Sequence, residues 1–72
     1  MAQHEEKLVR MANQIADFFA PYPHAHQVEE VRTHLRRFWS PVMKRDLTTY
    51  IGKGGAGLRS VVIEAATESE VR

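Results

Sequence analysis

The chain has 72 residues, a formal net charge of +1 and a hydrophobic content of 43%. This length fits one small domain, near the lower limit at which a hydrophobic core alone sustains a fold. The absence of cysteine excludes disulfides, thiolate metal sites and cysteine nucleophiles. No apolar run is long enough for a membrane span or a signal-peptide core. The charge is uneven, because residues 31–60 hold seven basic side chains against Asp46 alone, whereas both flanks are acidic.

The first predicted element is a helix from about His4 to Ala20. Pro21 and Pro23 end it, because proline restricts the residue before it and has no N–H to donate. Its apolar residues recur at steps of three and four, the period of a helix with one buried face. They are Leu8, Met11, Ala12, Ile15, Phe18 and Phe19.

Two more helices follow, with a very short turn between them. Ser40 is a favoured N-cap residue, and Pro41 suits the first helical position, where an N–H would have no partner. This pair separates a helix of about residues 25–39 from a third helix of about residues 41–51, so the two should be close neighbours. The second helix is predicted from the stripe of Val28, Val31, Leu35 and Phe38.

The last third of the chain is predicted as a loop followed by a short helix. Four glycines within residues 52–57 indicate the loop, and the helix spans about Leu58 to Ala66. Residues 61–63 would also suit a strand, but a helix is preferred because no second strand is available for pairing. Residues 67–72 are polar and are expected to fray. The prediction is a single all-α domain, a small bundle of three to four short helices with its core in residues 7–66.

Two patterns look like functional motifs but lack the usual context. Residues 52–57 match G-x-G-x-x-G, yet the dinucleotide fingerprint follows a strand in a longer βαβ unit, so an inter-helix loop is preferred. Lys53 remains a weak candidate for a phosphate contact. His24, His26 and His34 suggest a metal site, which needs three or four converging ligands. No carboxylate clearly converges with them, and a surface or capping role is preferred.

The sequence offers little for catalysis. Ser40 is explained by its capping role, and Glu29 and Glu30 resemble a solvated helix edge. A chain of this size also has difficulty enclosing a substrate pocket. We therefore expect no catalytic, cofactor-binding or metal-binding residues in this chain.

A basic cluster lies around the junction of the second and third helices. A basic helix pair would suit helix-turn-helix DNA binding, but a chain of net charge +1 with acidic ends binds phosphate weakly at physiological salt. Arg and Trp are instead enriched at protein–protein hot spots. Arg36, Arg37, Trp39 and Lys44 are therefore the hypothetical docking face, with Trp39 left open between docking and core. The cluster also includes Arg32 and Arg45.

The remaining predictions concern two polar residues of the first helix and the core. Asn13 and Gln14 are polar on an otherwise apolar helix. They are expected to satisfy backbone groups of a loop, with contact to a partner as the alternative. The predicted core consists of Leu8, Ile15, Phe19, Val31, Leu35, Phe38, Met43, Leu47 and Leu58.

Two segments resemble a known family. Residues 8–19, LVRMANQIADFF, resemble the opening helix of the delta subunit of NAD-dependent formate dehydrogenases. Residues 34–45, HLRRFWSPVMKR, are similar to the H-[IL]-R-x-F-W-x-P-x-M core of that family. A glycine-rich turn, Gly57-Leu58 and a short apolar helix complete a pattern that covers about residues 7–66. Val42 and Lys44 depart from a more arginine-rich run.

The resemblance implies a non-catalytic accessory subunit of a cytoplasmic bacterial enzyme that oxidises formate and reduces NAD. The alpha subunit would carry a molybdenum or tungsten pterin and iron–sulfur clusters, the beta subunit FMN, and the gamma subunit further iron–sulfur centres. The delta chain, without a cofactor of its own, would bind the large subunit and stabilise or help to mature the complex. Two alternatives remain: a small basic-faced regulatory or nucleic-acid-binding module, and a different assembly factor or oligomeric scaffold.

Overall fold

Four helices form the part of the chain that the structure, a computed structural model, describes: the backbone of residues 3–71 and the side chains of residues 3–67. They are α1 (Gln3–Phe18), α2 (His24–Phe38), α3 (Pro41–Gly52) and α4 (Ser60–Val71), and this range contains no strand. The predicted all-α bundle is confirmed, as is the preference for a helix at residues 61–63. None of the described helices has the length and apolar character needed to cross a bilayer.

Local chemistry sets most of the helix boundaries. The Ser40 hydroxyl accepts a hydrogen bond from the Met43 N–H at 3.1 Å, and Pro41 occupies the first turn of α3, as predicted. The helix α2 ends at Phe38 because the next residue takes an extended conformation. The helix α4 starts at Ser60 rather than Leu58 and continues past the predicted end. Fraying of residues 67–72 stays a prediction, since most of these side chains lie outside the described residues.

The core consists mainly of small side chains. Alanine contributes four core positions and valine another four, and the most extensive helix–helix contact joins α2 to α4. Small residues at a contact allow two helix axes to approach closely. The predicted core members Ile15, Phe19, Met43 and Leu58 are half-buried against this cluster. The buried members of this cluster are Leu8, Ala12, Ala16, Val28, Val31, Leu35, Trp39, Leu47, Val61, Val62, Ala65 and Ala66.

The glycine-rich segment is an inter-helix loop between α3 and α4, as preferred from the sequence. Gly55 is buried at φ +62°, a conformation that favours glycine, and its N–H donates to the Tyr50 carbonyl at 3.1 Å. The Tyr50 hydroxyl donates to the Ala56 carbonyl at 2.6 Å. A Cβ at Gly55 would lie 3.4 Å from the side chain of Ile63. The loop is therefore tightly folded back onto the end of α3.

Polar side chains of α1 hold this loop in place. The amide of Asn13 donates to the Gly57 carbonyl at 2.9 Å, and its oxygen accepts from the Arg59 N–H at 2.9 Å. The predicted role of Asn13 in satisfying loop backbone groups is confirmed. One turn later, the Asp17 carboxylate accepts two hydrogen bonds from the Arg59 guanidinium, at 2.9 and 3.2 Å. These bonds, and the attraction of the guanidinium charge, hold the pKa of the Asp17 carboxyl below its ordinary value.

Candidate docking surface

An apolar groove opens beside α1, with a volume of about 440 Å³. We call it the α1–α2 groove. His34 of α2 and Trp39, directly after that helix, line it from one side. The residues from α1 and its end recur at helical spacing, so they share one side of the helix. They are Met11, Gln14, Ile15, Phe18 and Phe19.

The sequence of α1 explains why it can serve both the core and the groove. Leu8, Ala12 and Ala16 point into the bundle and are buried. Met11 and Phe18 lie on an adjacent strip of the helix surface and face the groove instead. The apolar arc of α1 is therefore wider than the core requires, and the excess forms a wall of the groove.

Two large aromatic side chains at the groove are mostly exposed. Phe18, which lines the groove, is 74% exposed, and Phe38 is 71% exposed. The ring of Phe38 lies against that of His34, with centroids 4.8 Å apart. Phe18 meets Phe19 edge to face at 5.0 Å. Exposed apolar patches of this kind mark interaction sites in soluble domains.

The prediction that Phe38 belongs to the core is wrong. Phe38 is the last residue of α2, and the chain turns to an extended conformation at Trp39, with φ −90° and ψ 139°. This turn directs the indole into the core, where Trp39 is only 6% exposed. At this end of α2 the side chain of Trp39 is therefore buried in the core, and that of Phe38 is exposed to solvent.

The four residues of the hypothetical docking face lie in different environments. Arg36 and Arg37 are exposed in the last turn of α2. Lys44 is half-buried, and its ammonium lies 3.5 Å from the Arg36 carbonyl, to which it donates. Trp39 is part of the core and contributes to the groove with the little surface it exposes. The structure thus brings Arg36 and Lys44 together, and the role of all four residues in binding stays a prediction.

The basic side chains of the chain differ in whether they are paired. Lys53 lies 3.3 Å from Glu5, and Arg59 is held by Asp17, so both of these charges are compensated. Among the described residues, neither Arg36 nor Arg37 makes an ion pair. Their charges lie at the C-terminal end of α2, where the negative end of the helix dipole stabilises them. The uncompensated charges of Arg36 and Arg37 therefore lie next to His34 and Phe38 in the sequence of α2.

His24 and His26 occupy exposed positions and contact carboxylates, whereas His34 is half-buried and lines the α1–α2 groove. His24 Nε2 lies 2.8 Å from Glu64, and His26 Nε2 lies 3.1 Å from Glu30. This confirms the preferred surface role for these two. Within the described part of the chain, no three His, Cys, Asp or Glu side chains gather as metal ligands would. That this chain carries no metal or cofactor stays a prediction.

Sequence reasoning missed the contributions of Phe18 and Phe38 to this surface, whereas it gave contact with a partner as the alternative role of Gln14. Gln14 lines the groove and is exposed, whereas its neighbour Asn13 turns to the loop. The width of the apolar arc on α1 was an available signal for Phe18. No sequence signal placed Phe38 outside, because its exposure depends on the backbone turn at Trp39.

Comparison with protein families gives a match over most of the chain. The family model of the NADH-dependent formate dehydrogenase delta subunit, FdsD, matches residues 7–66, which include all the groove residues and the loop. No curated protein and no solved structure shows significant similarity to the chain. The match covers most of the sequence and includes both segments on which the resemblance was based. The chain therefore belongs to the delta-subunit family of NADH-dependent formate dehydrogenases.

Proposed function

We propose that this chain is a non-catalytic accessory subunit of a cytoplasmic formate dehydrogenase, and that it stabilises the assembled enzyme or helps it to mature. Membership of the delta-subunit family over residues 7–66 is the observation that carries this proposal. Formate oxidation and NAD reduction would take place in the alpha, beta and gamma subunits. We expect those subunits to hold the molybdenum or tungsten pterin, the iron–sulfur clusters and FMN.

The surface of the domain supports an interaction role. Phe18 exposes a large apolar area in the α1–α2 groove, and Phe38 exposes another against the groove residue His34. Arg36 and Arg37 directly precede Phe38 in the last turn of α2. Aromatic and arginine side chains around a desolvated centre are the common composition of binding hot spots. A partner that covers this surface would bury apolar area that the isolated chain leaves in water.

Affinity purification of the full chain tests the proposal. A tagged copy is expressed at its native level in cells grown with formate, and the bound proteins are identified. The eluate is then assayed for formate-dependent reduction of NAD. We expect the large metal-containing subunit to co-elute with activity. An eluate free of other subunits, from cells that make active enzyme, would contradict stable membership of the complex.

Deletion of the gene separates stabilisation from maturation. We expect the enzyme from the deletion strain to lose activity faster on heating, or to contain less pterin and iron. Addition of the purified chain to that enzyme should restore the thermal half-life if the chain acts by stabilisation. If the chain acts earlier, during maturation, adding the purified chain should leave the low cofactor content of the deletion enzyme unchanged. A deletion enzyme with normal half-life and normal cofactor content would overturn both forms of the proposal.

A further inference from the structure

We infer that the α1–α2 groove receives an apolar side chain from a partner-subunit segment that carries Asp or Glu residues beside it. Arg36 and Arg37 would meet those carboxylates. The inference rests on the proposed function and adds to it the chemistry of the bound segment.

The apolar part of the inference rests on the shape and lining of the groove. Its volume of about 440 Å³ is within the range of sites that enclose small ligands, so it has room for more than one side chain. Met11, Ile15 and Phe19 are held against the core, and Trp39 is buried in it, so these walls are largely fixed before binding. A preformed apolar site costs little conformational entropy on binding.

The acidic part rests on charge complementarity. Arg36 and Arg37 are exposed, and no carboxylate of the described residues pairs with them. On the other wall, Lys7 and Arg10 precede Met11 and Gln14 by one helical turn, so they lie along the groove side of α1. Neither makes an ion pair with a described residue. Positive charge therefore borders the groove on both helices.

This distribution of charge favours an acidic partner over a second copy of the chain. In a symmetric dimer through this groove, Arg36 and Arg37 of both copies would be brought close together, which is unfavourable. A nucleic acid would need several adjacent cations for its phosphates, and the chain offers a net charge of only +1. A segment with an apolar side chain and a few carboxylates fits this surface. The apolar side chain matches the apolar walls of the groove, and the carboxylates match the basic residues at its border.

Site-specific photo-crosslinking identifies the occupant. The photoreactive residue p-benzoylphenylalanine replaces Phe38 in the full chain, which is expressed in the native cells together with the enzyme. The matched control carries it at Thr49, an exposed residue of α3 that does not line the groove. After irradiation, the cross-linked peptide is sequenced by mass spectrometry.

We expect position 38 to cross-link to one partner-subunit peptide in which an apolar residue is flanked by Asp or Glu. A cross-link to a second copy, to nucleic acid or to a segment without acidic residues would overturn the inference. A cross-link from position 49 alone would also overturn it, although the proposed function would stand. If no subunit co-purifies with either variant, the proposed function fails as well.

Salt-dependent affinity tests the charge component separately. The double variant Arg36→Gln/Arg37→Gln and the control Arg45→Glu change the net charge by the same amount, and Arg45 does not line the groove. Binding is measured to the purified enzyme that lacks this subunit. We expect the double variant to bind about tenfold more weakly at low salt, a difference that shrinks as salt is added. The control should stay within about twofold. Equal losses for the two variants would show a general charge effect and overturn the role of the groove.

Discussion

Phe38 and Trp39 are neighbours in the chain and have opposite environments. The ring of Phe38 is in solvent against His34, whereas the indole of Trp39 is in the core. A helical pattern continued by one residue would assign Phe38 to the buried stripe. The helix ends there, and the extended backbone at Trp39 decides which of the two rings is buried.

Substitution of these two residues should give opposite results. We expect Trp39→Ala to lower the free energy of unfolding by about 3–5 kcal/mol, because it removes a buried indole and leaves a cavity. Phe38→Ala should change it by less than about 0.5 kcal/mol, because the ring is already exposed. Urea denaturation followed by far-UV circular dichroism measures both. A Trp39→Ala protein of undiminished stability would show that the indole serves binding rather than the core.

Asn13 and Gln14 form a second informative pair. Asn13→Ala removes both hydrogen bonds to the loop, and we expect a loss of about 1–3 kcal/mol in the free energy of unfolding. Gln14→Ala should leave stability within about 0.5 kcal/mol of the parent, because its side chain is exposed. The same urea titration compares them. Equal stability of the two variants would mean that solvent replaces the bonds of Asn13 without cost.

At the scale of the helices, the sequence predicts those helix boundaries that are set by residues close to them in the chain. The cap at Ser40, the prolines before α2 and the glycines after α3 act within a few residues, and the boundaries next to them are close to the predicted ones. The groove could not be predicted in this way. It depends on how α1 packs beside α2 and on the turn at Trp39, and neither is encoded in a single stripe of apolar residues.

The link between α1 and the loop before α4 should depend on pH through Asp17. Its pKa is lowered in the folded chain by the hydrogen bonds from Arg59, so ionised Asp17 stabilises the fold. This contribution is fully present above the ordinary pKa of an aspartate. It is lost as the pH falls through the lower pKa of the folded state. The ion pair is exposed, so added salt should weaken it.

Comparison of the parent with Asp17→Asn measures this contribution. We expect the parent to be the more stable of the two at neutral pH, and the difference to vanish under strongly acidic conditions. Unfolding free energies of both proteins across the acidic range provide the test. Arg59→Gln is the matched control background. In a protein that already carries Arg59→Gln, adding Asp17→Asn should leave the free energy of unfolding unchanged. A difference that persists after Asp17 is protonated would assign the effect to something other than the ion pair.

At the scale of the whole molecule, the fold is small and its core is thin. The radius of gyration is 11.0 Å, and the largest side chains that are almost fully buried are Leu47, Val31 and Val62. Conformational entropy opposes folding along the entire chain, and a short chain has little apolar area to offset it. A partner that binds only the folded state would raise the free energy of unfolding. The increase grows with the logarithm of the ratio of partner concentration to the dissociation constant.

Hydrogen exchange provides a measure of this coupling. The slowest amides of the isolated chain should belong to α2 and α4, which share the largest contact, for example those of Val31 and Val62. With the enzyme partner at about one hundred times its dissociation constant, these amides should exchange about one hundredfold more slowly, which corresponds to about 2.7 kcal/mol. The isolated chain mixed with serum albumin is the control. Slowing of amides near the groove alone would contradict the prediction, because binding to the folded state slows every amide that exchanges through global unfolding. Slowing throughout the core would show that the partner completes the stability of the fold.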